Sequence, residues 1–447
     1  MLVLLFFHEA RSHILLGDAA IYAHQIETHN FSERTLHFLY YVVGWLFLQL
    51  ARPLGVPTDE ALIAMSSVLM TLALWLSWML YRELGEDQGR ARWALFVLLF
   101  SGVVIQQATE AEVYALQLVL SLAAYLLYVR NHPAPAGVAL GLATLTTPLG
   151  VLAVGFFVVE AIRTRQWKPF VIAGVFGALT YLPVLAVVWR DYFYGTRGLM
   201  VDKTGIVQSW GHLLDNVVAI AKNFHWLLPF LAVGLWIAWR ERSRMLALLV
   251  GLLIFHIPAV ITVTENGVFV LPVYPFFAAI IARGVEAGLR AGGPRRTVTG
   301  AALALYAATS LLIWMQPYDR KFRDGLVEGL RRCPPGSTVL STWSFDMTLE
   351  FYGGPPRDTL LASRRLVHPS IVKKAELLEI IRSGQPVFLM EAHYPTRAVR
   401  WLYPSAVRER HYDENALMPR MRRAFGVEGT PVFNPRGGPI VYRLAAP

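Results

Sequence analysis

Residues 93–129 read WALFVLLFSGVVIQQATEAEVYALQLVLSLAAYLLYV. Two apolar runs flank a short acidic break, TEAE at 109–112, which holds no Lys or Arg. Spanning the hydrocarbon core of a bilayer takes about 20 helical residues, so the pattern is that of a membrane hairpin with an acidic mouth. Charged groups at a membrane edge are expensive to keep and point to function by default. Glu110 and Glu112 therefore become the first candidates for chemistry.

The apolar pattern continues in both directions. Segments of the same kind occur at 61–81, 93–108, 112–129, 137–149, 150–162, 169–189, 225–239, 246–263, 268–289 and 298–316. The 447-residue chain is 55% hydrophobic and 16% charged, where a soluble domain carries about 25% charged residues. Composition thus predicts an integral membrane protein. The pair at 137–162 is short for two spans unless they bend around Thr147-Pro148. MLVLLFF at 1–7 is too short to span and lacks a signal-peptide cleavage pattern. It reads as the outer end of a first transmembrane helix whose start is missing or misassigned.

Lys and Arg set the expected orientation. The basic loops 81–92, 129–135, 162–168, 240–244 and 290–296 are short and belong in the cytoplasm by the positive-inside rule. The opposite loops are TEAE, the segment 190–224, TENG at 264–267, and everything after 316. The count closes only if the apolar stretch 35–51, TLHFLYYVVGWLFLQLA, does not cross. It then lies as an interfacial or re-entrant helix in a first external loop, residues 8–60. About 11 transmembrane helices result, with the N-terminus inside and the C-terminus outside. The net charge of +10 is scattered over these loops rather than gathered into a strip with aromatics, so a nucleic-acid partner is not expected. The single cysteine, Cys333, excludes an intrachain disulfide and any multi-cysteine metal site.

Residues 317–447 change character, with more charge and proline. STVLSTW (337–343), PVFLMEA (386–392), GTPVFN (429–434) and PIVYRLA (439–445) read as strands. PSIVKKAELLEIIRSG (369–384) reads as a helix with a glycine stop. A C-terminal extracytoplasmic α/β domain is expected over 317–447, following a transmembrane module over 1–316.

Several polar residues carry both a plain and a functional interpretation. Asp18 in LLGDAAIYAHQIE is either an N-cap of a short interfacial helix or a general base facing the external leaflet. On a helix Glu110 and Glu112 would diverge by about 200°; on a turn both face one point. Helix macrodipole accounts for one acid near a helix start, less readily for two. His37 stands out among the first-loop histidines, none of which has a metal-site spacing. Arg190, Arg197, Lys203 and Lys222, interleaved with aromatics, are either snorkelling cations in an interfacial belt or a clamp for a lipid phosphate. Glu265 in the turn Glu265-Asn266-Gly267 either serves turn chemistry or lines a cavity.

Four stretches together resemble the GT-C superfamily of glycosyltransferases, polytopic enzymes that use polyprenyl-phosphate sugars. GDAAIYA (17–23) is similar to the acidic motif after the first helix. The stretch from His37 resembles the HPPGYP-type segment, with both prolines replaced (HFLYY). TEAEVYALQ resembles the E-V-Y-x-L signature of a subgroup that includes plexin-type protein O-mannosyltransferases. CPPGSTVLSTWSFDMTLEFYGGPPRDTLL (333–361) resembles that subgroup's external segment. Two departures are plain: Ala19 follows Asp18 where the better-known O-mannosyltransferases have an adjacent Glu, and Glu265-Asn266 occupies a turn where many GT-C enzymes have an arginine.

The resemblance implies an inverting transfer of a sugar, mannose favoured, from dolichyl or undecaprenyl phosphate to a hydroxyl of a protein or surface-glycan acceptor at the external leaflet of the plasma (inner) membrane. Asp18, Glu110 and Glu112 take the catalytic positions, Asp18 as general base. His37, Tyr114, Arg190, Arg197, Lys203 and Glu265 contact substrate, the cations facing the leaving phosphate. Glu110 and Glu112 also match an acid-x-acid motif of oligosaccharyltransferase catalytic subunits that helps hold a divalent ion, so Mg²⁺ or Mn²⁺ is the metal to consider; no obligatory metal is expected. The alternative is a transporter or flippase of lipid-linked glycans, for which matching broken helices in two halves would be the signature.

Overall fold

The computed structural model of the chain describes residues 1–12, 15, 18–29, 37–197, 209–262, 268–314, 320–340, 365–367, 374–391, 417–434 and 440–445. They fall into two compact units. The first comprises Met1–Ala10, His29–Leu54 and Leu62–Met315; the second comprises Arg11–Thr28, Gly55–Ala61 and Gln316–Pro447.

The first unit is helical. It contains α1 (Leu2–Ala10), α3 (Phe38–Ala51), most of α4 (Thr58–Glu83), α5 (Gln88–Leu99), α6 (Gly102–Thr109), α7 (Tyr114–Val129) and α8 (Pro133–Thr146). It continues through α9 (Val154–Thr164), α10 (Trp167–Arg197), α11 (Ser209–Phe224), α12 (Leu228–Arg240), α13 (Arg244–Thr262), α14 (Tyr274–Arg290) and α15 (Gly293–Trp314). The helix between α1 and α3, α2 (Asp18–Thr28), lies in the second unit. Among the described residues five stretches are long and apolar enough to cross a bilayer: Thr58–Glu83, Trp167–Val187, Asn216–Arg240, Val268–Arg290 and Gly293–Ile313. A sixth follows if α5 and α6 form one bent span. Tyr114–Val129, Pro133–Thr146 and Arg244–Val260 are apolar but shorter. About eleven crossings were expected, with a bend at Thr147-Pro148; that break is present, and others shorten the helices among the described residues. Pro148 drives Thr147 into an extended conformation (φ −157°, ψ 140°) and stops α8.

The expected span 93–108 is likewise two helices, bent by 62° at Phe100-Ser101. Breaking a helix frees backbone N–H groups that lipid cannot satisfy. Here the protein satisfies them. Val103 N–H donates to Asn223 Oδ1 of α11 (2.8 Å), and Val104 and Ile105 N–H turn back onto the Ser101 carbonyl, both at 3.1 Å.

Around these helices the packing is close. Every residue of α14 from Tyr274 to Glu286 is buried, and its two buried charges, Arg283 and Glu286, are both paired. Its Gly284 lies so close to α12 that a Cβ there would stand 2.1 Å from the Phe230 carbonyl oxygen. The same small-residue device brings α8 and α10 together at Gly137, against the Ala173 carbonyl. At the ends carrying the basic loops, ion pairs tie the turns. Arg283 bonds both Glu86 and Glu241, Arg90 bonds Glu286 at 2.7 Å, and Arg244 and Arg163 share Glu160 at 2.7 and 2.9 Å.

The second unit contains α2, α16 (Arg320–Arg332), α17 (Lys374–Arg382), α18 (Leu417–Phe425) and five strands: β1 (Thr338–Leu340), β2 (Arg365–Val367), β3 (Val387–Glu391), β4 (Glu428–Phe433) and β5 (Ile440–Ala445). Sheet order is β2-β1-β3-β5-β4, with β1 parallel to β2 and β3, and β5 antiparallel to β3 and β4. The strands and the helix read from sequence are present; α16, α18 and β2 are additional. Alternation along the strands assigns the two faces. Val387, Leu389 and Leu444 pack with Leu377 of α17 and Met418 of α18, while Met390 and Val441, on the other face, approach Gly329 of α16. Glu391 ends β3, and its carboxylate accepts the Met418 N–H at the start of α18 (2.9 Å), capping that helix.

Candidate active site

Four residues, 110–113, link α6 to α7. Gly102–Thr109 is helical and ends with Glu110 extended (φ −120°, ψ 155°). Glu112 N–H then donates to the Glu110 carbonyl at 3.0 Å, a three-residue γ-type turn about Ala111. Ala111 is fully buried, whereas Glu110 and Glu112 are half-buried. The turn thus buries its middle residue, and its i, i+2 geometry permits both carboxylates to share one side, which a helix does not. Ser67 of α4 holds the approach in place, its hydroxyl donating to the Ala108 carbonyl at 2.7 Å.

The two carboxylates have different surroundings. Glu110 sits at the negative end of the α6 dipole, an unfavourable place for an anion. Gln106 Nε2 donates to its carboxylate at 3.2 Å, which favours ionisation. Burial outweighs that bond and pushes the Glu110 carboxyl up to about 7. A carboxyl poised there is half-protonated at neutral pH and can give or take a proton. Glu112 lies within electrostatic reach of Tyr40 on α3, and Tyr40 lies beside Ser66 of α4 and Tyr41. Tyr114, half-buried at the first position of α7, packs on Phe269 with ring centroids 6.0 Å apart. His37 precedes α3 and pairs through Nδ1 with the Thr146 carbonyl at 2.9 Å. A carbonyl only accepts, so Nδ1 carries the proton there. His37 therefore fastens the start of α3 to the end of α8.

Sequence reasoning missed Tyr40, Tyr41 and Ser66, because the two tyrosines lie in an apolar stretch that reads as an interfacial or re-entrant helix and Ser66 in one that reads as a span. It also passed over Gln107 and Gln117. Both are buried, and the Oε1 of Gln107 and both amide atoms of Gln117 have no hydrogen-bond partner among the described residues. A lone amide inside LQLVLSL was the available signal. Asp18 is the first residue of α2 and is half-buried. It belongs to the second unit, and Glu110 and Glu112 to the first. Arg190 and Arg197 fall on the last turns of α10; Lys203 and Glu265 lie outside the described residues, as does the SFDMTLEFYGGPPRD part of the external segment. Glu110 and Glu112 are two carboxylates suited to a hard divalent ion, but no group of three His, Cys, Asp or Glu able to hold a metal occurs among the described residues.

The family model described as Glycosyltransferase family 87 matches residues 43–262, just under half of the chain and including the acidic turn. No curated protein matches the sequence. The solved structure of ArnT from Cupriavidus metallidurans in the apo state aligns over 99% of this chain and 96% of its own, with a TM-score of 0.61 at 14% identity. The chain is a glycosyltransferase with the GT-C fold. The archaeal oligosaccharyltransferase AglB from Archaeoglobus fulgidus aligns over 87% of this chain and 68% of its own, TM-score 0.55 at 13% identity. The mycobacterial arabinofuranosyltransferase AftD aligns over 100% of this chain and 41% of its own, TM-score 0.53 at 15% identity. One ArnT structure holds undecaprenyl phosphate, and the AglB structure holds an inhibitory peptide and a dolichol-phosphate. The GT-C fold thus accommodates the polytopic, mostly helical architecture read from the sequence, in an integral membrane protein.

Proposed function

We propose that this glycosyltransferase moves a sugar from a polyprenyl-phosphate donor to a hydroxyl acceptor at the external leaflet of the inner membrane, with inversion at the anomeric carbon. The observation that carries it is the Glu110-Ala111-Glu112 turn: two carboxylates on one tight turn, at the end of a broken helix, within the stretch that matches a glycosyltransferase family. The donor class is supported by the undecaprenyl and dolichol phosphates held by fold relatives. Mannose and a protein or surface-glycan acceptor are favoured by the TEAEVYALQ signature and its likeness to plexin-type O-mannosyltransferases. Eleven crossings, with residues 317–447 outside the cytoplasm, fit the loop charges.

In this mechanism Asp18 accepts the proton of the acceptor hydroxyl as general base. The acceptor oxygen forms its bond to the anomeric carbon while the bond to the phosphate oxygen breaks, and polyprenyl phosphate leaves with the bonding electrons. Arg190, Arg197 and Lys203 supply positive charge for that phosphate. Glu110 and Glu112 accept hydroxyls of the bound sugar, and Tyr114 offers it an aromatic face. His37 contributes by setting the start of α3, which carries Tyr40 and Tyr41.

The test is turnover of a panel of radiolabelled polyprenyl-phosphate sugars by the purified protein in lipid, wild type against Asp18→Asn. Transfer from one donor that disappears in the variant is the expected result and names the sugar. Equal turnover in both removes Asp18 from the mechanism. Silence across the panel for a well-folded wild type overturns the donor class.

A further inference from the structure

Helix α7, YALQLVLSLAAYLLYV, carries a polar stripe that the reaction scheme uses only at its first residue. Its polar residues are Tyr114, Gln117, Ser121, Tyr125 and Tyr128; every other residue is Ala, Leu or Val. At about 100° per residue these positions share an arc of about 80°, so they lie along one side. Tyr114, two residues beyond Glu112, is half-buried, whereas Gln117, Ser121 and Tyr125 are 1%, 0% and 0% exposed. Both amide atoms of Gln117 and the hydroxyls of Ser121 and Tyr125 have no hydrogen-bond partner among the described residues. Ser121 has a carbonyl within its own helix to use. Thr71, Ser77, Thr144 and Thr164 each donate to the carbonyl four residues back, at 2.7–2.9 Å. Ser121 leaves that bond unmade.

The rings packed on the stripe offer it no strong hydrogen bonds. Phe156 of α9 stacks on Tyr125 with ring centroids 4.3 Å apart, and Phe276 of α14 meets the same ring edge-on at 6.0 Å. Phe157 stacks on Tyr128 at 4.4 Å, and Phe269 packs on Tyr114. Lipid chains have neither donors nor acceptors, and a buried polar group left without a bond carries its full desolvation penalty. Spacing decides what fits. Gln117, Ser121 and Tyr125 follow one another at four residues, about 6 Å along the helix axis. A water bonded on two sides spans two hydrogen bonds of about 2.8 Å each, which matches that step. We propose that α7 holds a file of internal waters, bonded in turn to Gln117, Ser121 and Tyr125 and running inward from the acidic turn. Buried waters typically make about three such bonds, and the two ends of the Gln117 amide and the two hydroxyls offer them. Beyond Tyr125 the stripe ends at Tyr128, on Phe157, one turn before the Glu160 that Arg163 and Arg244 share. The file gives the acidic turn water from inside the bundle, whichever donor and acceptor the enzyme uses.

Millisecond X-ray footprinting of the full chain in lipid nanodiscs tests this, because radiolysis of a bound water oxidises the side chain beside it. Tyr81 is the control: it is as fully buried as Tyr125, but its hydroxyl donates to the Pro275 carbonyl at 2.9 Å. Tyr125 should be oxidised about tenfold faster than Tyr81. In Ser121→Val, which puts methyl groups in the middle of the file, the Tyr125 rate should fall towards that of Tyr81, and Tyr81 should keep its own. Should Ser121→Val not fold, Ser121→Cys, close in size and a poor hydrogen-bonding group, gives the same comparison. Thermal unfolding of Gln117→Met is the second readout. In a dry stripe this apolar side chain of similar size relieves two unbonded amide atoms and raises the midpoint. In a hydrated stripe it strips bonds from the waters and lowers the midpoint by several degrees, which is the expected result. Oxidation of Tyr125 no faster than that of Tyr81 overturns the proposal, as does a Gln117→Met variant that melts above wild type.

Discussion

Replacing Glu110 by Gln should stabilise the protein at neutral and alkaline pH while impairing it as an enzyme. The Glu110 carboxyl lies at about 7 in the folded protein, against an ordinary value of 4.5. At about 1.4 kcal/mol per pH unit, that gap corresponds to roughly 3 kcal/mol; water reaching a half-buried carboxyl reduces it, so about 1–3 kcal/mol is the range to expect. The folded state holds the proton more tightly than the unfolded chain, so between these two values it binds more protons. Stability therefore falls as pH rises through this window, and the penalty is complete above about pH 7. Glutamine keeps the shape, keeps an acceptor for Gln106 and carries no charge to bury. Unfolding of wild type and Glu110→Gln in nanodiscs, followed from pH 4.5 to pH 8, should give superimposable stabilities at the acid end. At the alkaline end the variant should melt a few degrees higher, on the order of 2 °C or more per kcal/mol. Wild-type turnover should rise through about pH 7 as Glu110 ionises, and that limb should be absent in the variant. Parallel melting curves across the whole range would refute the reasoning, because they would mean that Glu110 feels no net burial.

Two further perturbations probe the scaffold. Arg283→Met removes the nearer partner of the buried Glu86 and of Glu241. Among the described residues each then keeps only its longer pair with Arg90, at 3.9 and 3.7 Å. Chemical unfolding should therefore show part of the roughly 3–5 kcal/mol lost when a buried pair is broken; adding Glu86→Gln should recover some of that loss by removing the under-compensated charge. Gly284→Val drives a side chain onto the Phe230 carbonyl, 2.1 Å from where a Cβ would stand. Backbone cannot yield as a side chain can, so the cost should reach or exceed the usual overpacking range of about 1–3 kcal/mol and appear as lost monodisperse protein by size exclusion. Gly174→Ala, with nothing within 4 Å of the added atom, is the neutral control.

Membrane class, the approximate place of the apolar helices and four of the five strands of the second unit were legible in the amino-acid sequence. Their signals are local: an apolar run is recognised by its own transfer free energy, and a strand by its own alternation. The acidic turn was legible as a pair of candidates for the same reason, since TEAE interrupts a run that has no structural need of charge. What those carboxylates do to each other was not, because a helical and a turned Glu-Ala-Glu have identical spelling. The turn depends on where α6 ends, and α6 owes its start to Asn223, which comes from another helix and satisfies the N–H of Val103. Tyr40 near Glu112, His37 on Thr146, and Arg283 between Glu86 and Glu241 are likewise meetings of residues far apart in the chain. The membership of Arg11–Thr28 in the unit completed by Gln316–Pro447 is the longest of these. Burial energies that depend on one's own sequence can be read along the chain; those that depend on which distant segment supplies the cover exist only once the chain has folded.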